Sequence, residues 1–465
     1  MQVYMALSKA RTFKDYGFIL VVCVIASLIL LGSLRWIPPL QSPDENAHLA
    51  RAYAISKGHW QLESPPGKSS GIPIDSNLAQ FMHGYLENIQ IPGFRLSAEK
   101  QSTLNHLPWG LERVFFPAPG TGYYNPLIYL PQATAFFLGE HLDLTIAQSY
   151  SLTRIACFVV SLLLLVIAYQ LFMPNLVVSG LILLPMALFQ MLMPTIDGIC
   201  HSLLVLILSW YCALQISNRK SDGAKRFWHK EWFILGTFCT LIFFLSSVRL
   251  HALPLILLIL FLPHRFSWSQ KVIGFGLTLA VIAIWIHYAS TSVVDLRVSR
   301  DMSSTQVLQF YLDHPYRWWQ MLSSTLGSTT QWHSYAMMFI GVLGWLHIQL
   351  PSWYYPWCAA SFLILLVMTV RMALPRQQPW IFLQFGLIAF CSVAVMFQAL
   401  LITWTPTSSP MIEGVQGRYF WIPACLFAFG LGGGLPYGKF SWVVLLTLLI
   451  FNTTIILQVY ARYYH

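Results

Sequence analysis

YGFILVVCVIASLILLGSL, residues Tyr16–Leu34, is a run of nineteen residues without a formal charge. About 20 apolar residues carry a helix across the hydrocarbon core of a bilayer. Inside lipid the backbone must satisfy its own hydrogen bonds, so the run is predicted to be a helix. It is too long for a signal-peptide h-region, and no small-residue cleavage site follows, so it is expected to be retained. Ile155–Phe172 and Ser441–Tyr460 read the same way. Of the 465 residues, 56% are hydrophobic and 9% are charged, where a soluble domain carries about 25% charged residues; a soluble fold is excluded. The alternating short segments of a barrel are not present.

The expected fold is therefore all-α: a single polytopic transmembrane domain over residues 1–465 with about eleven spans. They fall at Tyr16–Leu34, Ser149–Phe172, Leu176–Met193, Ile199–Ser217, Trp232–Ser247, Leu250–Pro263, Val272–Ala289, Trp353–Val370, Trp380–Ile402, Tyr419–Leu435 and Ser441–Tyr460.

The positive-inside rule orients this map. With the N-terminus inside, Lys9, Arg11, Lys14, Arg219, Lys220, Lys225, Arg226, Lys230, Arg265, Lys271, Arg371, Arg376 and Lys439 collect on the cytoplasmic side. Only Asp15, Asp222 and Glu231 oppose them there, which accounts for the whole formal charge of +10. The basic balance is thus a matter of topology, and a cationic face split among short loops does not suit a nucleic acid. All eight cysteines lie in apolar segments, so neither a disulfide framework nor a metal cluster is implied.

Two external segments are long, residues 36–148 and residues 290–334. Loops beyond about 15 residues are usually functional. Trp60, Trp109, Phe115, Phe116, Tyr123 and Tyr124 run through the first, unlike a linker. Pro126–Leu138 is apolar but too short to cross the bilayer, and is predicted to be an interfacial helix. Met337–Leu350 is predicted to be interfacial or re-entrant.

Four motifs carry candidate chemistry. Ser42-Pro43-Asp44-Glu45 reads as a helix start, with Ser42 the N-cap, Pro43 the first helical residue and Glu45 closing a capping box. Helical spacing then sets Asp44, His48 and Arg51 on one face, an acid, an imidazole and a guanidinium; capping explains Asp44 in part but not His48 and Arg51. Asp197 sits at an external junction between apolar spans, as a site or as the cap of the next helix. Arg249 and His251 lie in a tight external turn, where Arg249 requires an anion: a lipid headgroup, a protein carboxylate or a substrate phosphate. Glu413, Gln416 and Arg418 open the tenth span beside two glycines that allow close backbone approach, or simply form a glycine turn with a snorkelling arginine. Nearly all these groups lie on the outer side, which suits an enzyme at the external leaflet better than a transporter with a midplane site.

Pro43-Asp44-Glu45 with His48, Arg51 and Ala52 resembles the opening motif of the bacterial domain-of-unknown-function 2142 family of membrane proteins. Asn125–Pro131, Arg154, Leu184–Gln190, Leu343–Leu346 and Gly414–Phe420 extend the resemblance over nearly the whole chain. That family in turn resembles the GT-C class of membrane glycosyltransferases, which have an acidic pair in the first external loop, interfacial helices after it and an acid in the second external loop. Asp44, Glu45, the Pro126 segment and Asp197 match these positions. Some GT-C members have a lysine where this chain has Asn125, and the polar residue after the second-loop acid is matched by His201.

The resemblance implies sugar transfer from a polyprenyl-phosphate donor to a glycan, lipid or protein acceptor at the outer face of the bacterial inner membrane. Asp44 would be the general base, with Glu45 or Asp197 orienting the acceptor or the sugar. Arg249 and Arg418, with Arg51 as a third candidate, would hold the departing phosphate. Trp109, Tyr123 and Tyr124 are candidates for stacking on a sugar or for anchoring at the interface. No cofactor is required by any motif; a Mg²⁺ or Mn²⁺ ion at acidic residues near phosphate is open. The rivals are a lipid-linked glycan flippase, a polymerase or ligase of lipid-linked glycans, and a non-catalytic assembly subunit. Convergence of Asp44, Asp197, Arg249 and Arg418 on one cavity would favour the enzyme.

Overall fold

The computed structural model describes residues 13–464, apart from 88, 90, 92–94, 217–223, 298–301, 374–378 and 435–436. Lys9, Arg11, Arg219, Lys220, Asp222 and Arg376, used above for the charge asymmetry, lie outside the described residues. The chain is a mostly helical, polytopic membrane protein. Among the described residues six helices are long and apolar enough to cross a bilayer: Ile146–Leu171, Asp197–Ile216, Trp268–Ser292, Tyr354–Met372, Pro379–Thr403 and Lys439–Arg462. Shorter apolar stretches cover Val24–Trp36 and Glu231–Ser246, within helices that run Phe13–Trp36 and Ala224–Ser246.

Three of the expected spans are broken. Residues 176–193 form two short helices, Leu176–Ile182 and Pro185–Leu192. Pro185 restricts Leu184 to extended backbone (ψ 143°) and then opens the second helix at its first position. Residues 250–263 form a 3-10 helix, Leu250–Ile256, with Pro254 inside it, followed by the single turn Leu257–Leu260. The tenth expected span is a 3-10 turn at Gly417–Phe420 and a ten-residue helix, Trp421–Gly430. At about 1.5 Å per residue none of these pieces crosses the core alone. Broken backbone is tolerated at membrane depth only when protein covers it. Accordingly every residue of Pro185–Leu192 is buried.

Arg154 fastens this arrangement. It is 1% exposed, and its guanidinium donates to the carbonyls of Ser33 (3.2 Å), Ile37 (3.1 Å) and Leu192 (2.9 Å). Ser33 and Leu192 sit at the C-terminal ends of two helices and Ile37 just beyond one, where carbonyls lack intrahelical partners and a cation complements the dipole.

The all-α expectation needs correction in the loops. Gly71–Asp75 pairs antiparallel with Arg113–Pro117, in register from Gly71↔Pro117 to Asp75↔Arg113. A side chain at Gly71 would collide with the Phe116 carbonyl, so the pairing requires glycine there. Asp75 caps the Ser76–Leu86 helix through Asn77 N (2.8 Å) and also accepts from Arg113 (3.1 Å). The first long loop, residues 36–148, is thus folded, with Trp109 stacked on Tyr53 in its interior. Its 126–138 segment becomes a 3-10 turn, Pro126–Tyr129, and the helix Leu130–His141. That helix buries Ala133 and Phe136 and exposes Leu130, Phe137 and Leu138.

In the second long loop three helices follow one another: Ser304–Asp313, Pro315–Gly327 and Thr329–Gly341. Beyond them Val342–Leu343 pairs with Ile348–Gln349, and Leu343 and Ile348 are fully buried. Within residues 337–350, Gly341, Val342, Leu343, Gly344, Ile348 and Leu350 are buried, Gln349 is exposed and the rest are half-buried.

Candidate functional site

The helix expected to start at Ser42 starts at Glu45. Its cap is Asp44, in the left-handed conformation (φ 60°, ψ 10°), with no side-chain capping bond. Asp is one of the few residues that reach this region at low cost. Ser42 does not cap: its hydroxyl donates to Gln190 Oε1 (3.3 Å). The turn is held instead by Glu45, whose carboxylate accepts the N–H groups of Leu40 (3.2 Å) and Ser42 (2.9 Å) and the hydroxyl of Tyr150 (2.7 Å). Leu40 also has positive φ, 64°, and its carbonyl accepts from Trp345 Nε1 (2.9 Å). Such outliers persist only where their surroundings over-determine them.

The acidic pair therefore divides. The Asp44 side chain is 53% exposed, whereas Glu45 is 0% exposed. Burial raises the Glu45 pKa, opposed by its bonds to Tyr150, Ser42 and Leu40. Glu45 is a positioning residue that shapes the turn presenting Asp44. Asp44 precedes the helix as its left-handed cap, so helical spacing fixes the relation of His48 to Arg51 but not that of Asp44 to either.

Asp44, Asp197, Arg249 and Arg418 come together. Asp197 is the first residue of its helix and is ion-paired with Arg249 and with Arg418 (Nη1 to Oδ2, 3.2 Å). Arg418 Nη2 is 3.8 Å from Asp44 Oδ2. The Arg249 guanidinium lies over the Tyr124 ring at 5.4 Å, and Tyr124 stacks on His48 at 6.1 Å. His48 Nδ1 is 2.8 Å from the Tyr129 hydroxyl. Burial, then Arg249 and Arg418, lowers the His48 pKa to about 3, so the imidazole is neutral at physiological pH. Burial raises the hydroxyl pKa of Tyr124, with Arg249 opposing, and that of Tyr129 lies well above the usual value.

Backbone packing fixes these positions. Gly198 approaches Met191 so closely that a Cβ would sit 2.7 Å from its Cα. A Cβ at Gly417 would collide with the Tyr335 carbonyl and the Phe339 N–H, so the glycine before Arg418 serves close packing on the Thr329–Gly341 helix. His201, one turn after Asp197, stacks on Trp421 at 4.0 Å, and its Nδ1 has no partner among the described residues. Gln416 Oε1 and Arg418 Nε are unpartnered in the same sense. The His251 ring faces Tyr419 at 6.2 Å.

Other candidates have local duties. Asn125 Oδ1 accepts Leu127 N (3.1 Å) as the cap of its 3-10 turn, and Asn125 N donates to Ser247 O (3.3 Å), tying the first loop to the Arg249 turn. Glu413 is exposed and accepts from the Ser409 hydroxyl (2.7 Å), and no ion pair among the described residues joins it to the cluster. Arg51 is 3% exposed and donates to the Trp60 carbonyl (2.6 Å).

Sequence reasoning missed Tyr129, Tyr150 and Arg297. Arg297, from the second long loop, pairs with Asp295, lies over Trp404 at 5.7 Å and reaches Gly120. Nothing in its local sequence distinguishes it from other loop arginines. Among the described residues no group of three or more His, Cys, Asp and Glu gathers to hold a metal ion. Asp44 and Asp197 are joined through a guanidinium, which supplies the positive charge between them.

The family model described as "Predicted membrane protein (DUF2142)" matches residues 27–427. The chain belongs to this family. The matched region contains the whole Asp44–Arg418 cluster. No curated protein and no solved structure matches the chain.

Proposed function

We propose that this DUF2142 protein is a membrane glycosyltransferase that moves a sugar from a polyprenyl-phosphate donor to a glycan, lipid or protein acceptor on the outer face of the bacterial inner membrane. The observation that carries the reading is the Asp44–Arg418–Asp197–Arg249 chain of contacts. It combines a half-exposed carboxylate with two guanidiniums next to lipid-length helices. In the reaction an acceptor hydroxyl attacks the anomeric carbon, its proton passes to Asp44, and the bond from that carbon to the phosphate oxygen breaks. Arg249 and Arg418 would meet the charge that grows on the departing phosphate. Asp197 holds the two guanidiniums in place before substrate arrives. Neutral His48 and Tyr124 would line the sugar side.

The same proposal takes a GT-C-like architecture of about eleven spans, with the N-terminus cytoplasmic. Asp44 follows the end of the first helix and Arg249 the end of the Ala224–Ser246 helix; Asp197 opens one helix and Arg418 precedes another. Alternating chain direction thus supports one side for all four. The flippase reading draws on the broken helices Leu176–Leu192 and Leu250–Leu260, since transporters place sites at such breaks.

Asp44→Asn keeps shape and removes the base. In membranes supplied with a polyprenyl-phosphate-linked labelled sugar, transfer should fall by about 10²- to 10⁴-fold. Full transfer by the Asn variant would remove Asp44 from the chemistry; movement of labelled lipid between leaflets without transfer would favour the flippase.

A further inference from the structure

Among the described residues Arg154 and Arg51 are almost completely buried without an ion-pair partner, and they differ in one respect. Arg154 is satisfied: its guanidinium makes four hydrogen bonds, to three carbonyls and the Ser33 hydroxyl. Arg51, 3% exposed, makes one, from Nη2 to the Trp60 carbonyl. Its Nε and Nη1 are buried and have no partner among the described residues. Arg249 and Arg418 share Asp197, whereas no ion pair of the described residues includes Arg51. A guanidinium stays charged in a protein, and a buried charge is stable only when paired and hydrogen-bonded.

The neighbourhood indicates which anion. The Tyr129 and Tyr288 hydroxyls lie within electrostatic reach of Arg51. Tyr288 sits near the C-terminal end of the Trp268–Ser292 helix, and both it (37%) and Trp60 (45%) are partly exposed aromatics of the kind that sit at headgroup level. The same helix exposes Leu277, Val281 and Ile284, an apolar face for lipid. A fork of unused N–H donors beside a lipid-facing helix end fits the oxygens of a phosphate.

We propose that Arg51 is a separate phosphate-binding residue that receives the phosphate of a lipid headgroup arriving at the outer end of the Trp268–Ser292 helix. Arg51 and Arg249 both act on Tyr129, but whereas Arg249 and Arg418 already share Asp197, no carboxylate among the described residues is ion-paired with Arg51. It stands independently of sugar transfer, since its readout is binding.

The test uses the full-length protein in maltoside micelles, which carry no phosphate. It is titrated with phosphatidic acid, with diacylglycerol of the same tails, and with inorganic phosphate, followed by the thermal midpoint and by retained lipid in native mass spectrometry. Phosphatidic acid should raise the midpoint and be retained, and diacylglycerol should do neither. Arg51→Met should weaken phosphatidic acid binding by about tenfold or more. Its ligand-free midpoint should be no lower than that of the wild type, because it removes an unpaired buried charge. Arg51→Lys keeps the charge and should retain most of the binding, and Lys68→Met, an exposed lysine of the same loop, should leave it unchanged. Equal binding by Arg51→Met and wild type overturns the proposal, as does equal loss with Lys68→Met. Loss of binding in both Arg51 variants together with a lowered ligand-free midpoint makes Arg51 a strut for the Trp60 segment, and also overturns it. Binding of inorganic phosphate as tight as that of phosphatidic acid replaces the headgroup with free phosphate as the ligand.

Discussion

At the scale of single residues, His48 makes the sharpest prediction. Its folded pKa of about 3 lies below the ordinary value of 6.5. Between those values the unfolded chain binds a proton that the folded protein does not. Stability therefore rises with pH across this window and falls on acidification from about 6.5 towards 3, by at most about 1.4 kcal/mol per pH unit from this group. Glu45 acts in the opposite sense: its raised pKa adds stability below 4.5 that is lost as pH rises through its folded value. Comparing wild type with His48→Gln in reversible unfolding in mixed micelles isolates the imidazole. The difference between them should be independent of pH above about 7 and change progressively below 6.5; a difference constant across the whole range would mean that folding does not lower the His48 pKa. The sequence showed that an acid, a histidine and an arginine recur at helical spacing. It did not show that Glu45 is sealed inside while Asp44 faces out. That division depends on Tyr150, 105 residues away, and on a left-handed cap that Asp allows but does not require.

At the scale of elements, the continuous apolar helices were legible because a run of uncharged residues leaves lipid-facing backbone no other solution. The broken ones were less so. Leu176–Met193 has the composition of a span, and only Pro185 signals the break; its burial comes from neighbouring helices, which local sequence does not encode. The Gly71–Pro117 pairing was missed because its strands are 42 residues apart, with helices between them. Glycine contacts separate structural from permissive positions. Gly417 meets backbone atoms of the neighbouring helix, which cannot rotate away, so Gly417→Ala should cost about 1–3 kcal/mol and displace Arg418. Gly236, inside the Ala224–Ser246 helix, has nothing within 4 Å of its added Cβ. Gly236→Ala should therefore be neutral or stabilising by up to about 1 kcal/mol. Unfolding midpoints of both variants, with sugar transfer for Gly417→Ala, measure this. Equal effects of the two substitutions would mean the Gly417 contact relaxes freely.

At the scale of the whole molecule, the arginines and acids have a purpose only if they share a compartment with their substrates. The formal charge of +10 is concentrated in the segments predicted to be cytoplasmic, and the Asp44–Arg418 cluster lies at the opposite ends of the same helices. Orientation is thus testable without knowing any substrate. Leu111, at the tip of the first long loop, is 96% exposed, and Lys439, at the start of the last helix, is exposed. The described cysteines are buried or half-buried, so background labelling should be low. In intact cells with a permeable outer envelope, a membrane-impermeant maleimide should modify Leu111→Cys directly. It should modify Lys439→Cys only after the inner membrane is opened. The reverse pattern would put Asp44 on the cytoplasmic side, away from outer-leaflet acceptors. The positive-inside rule would then have failed for this chain, and the cluster would have to work on a ligand made and used inside the cell.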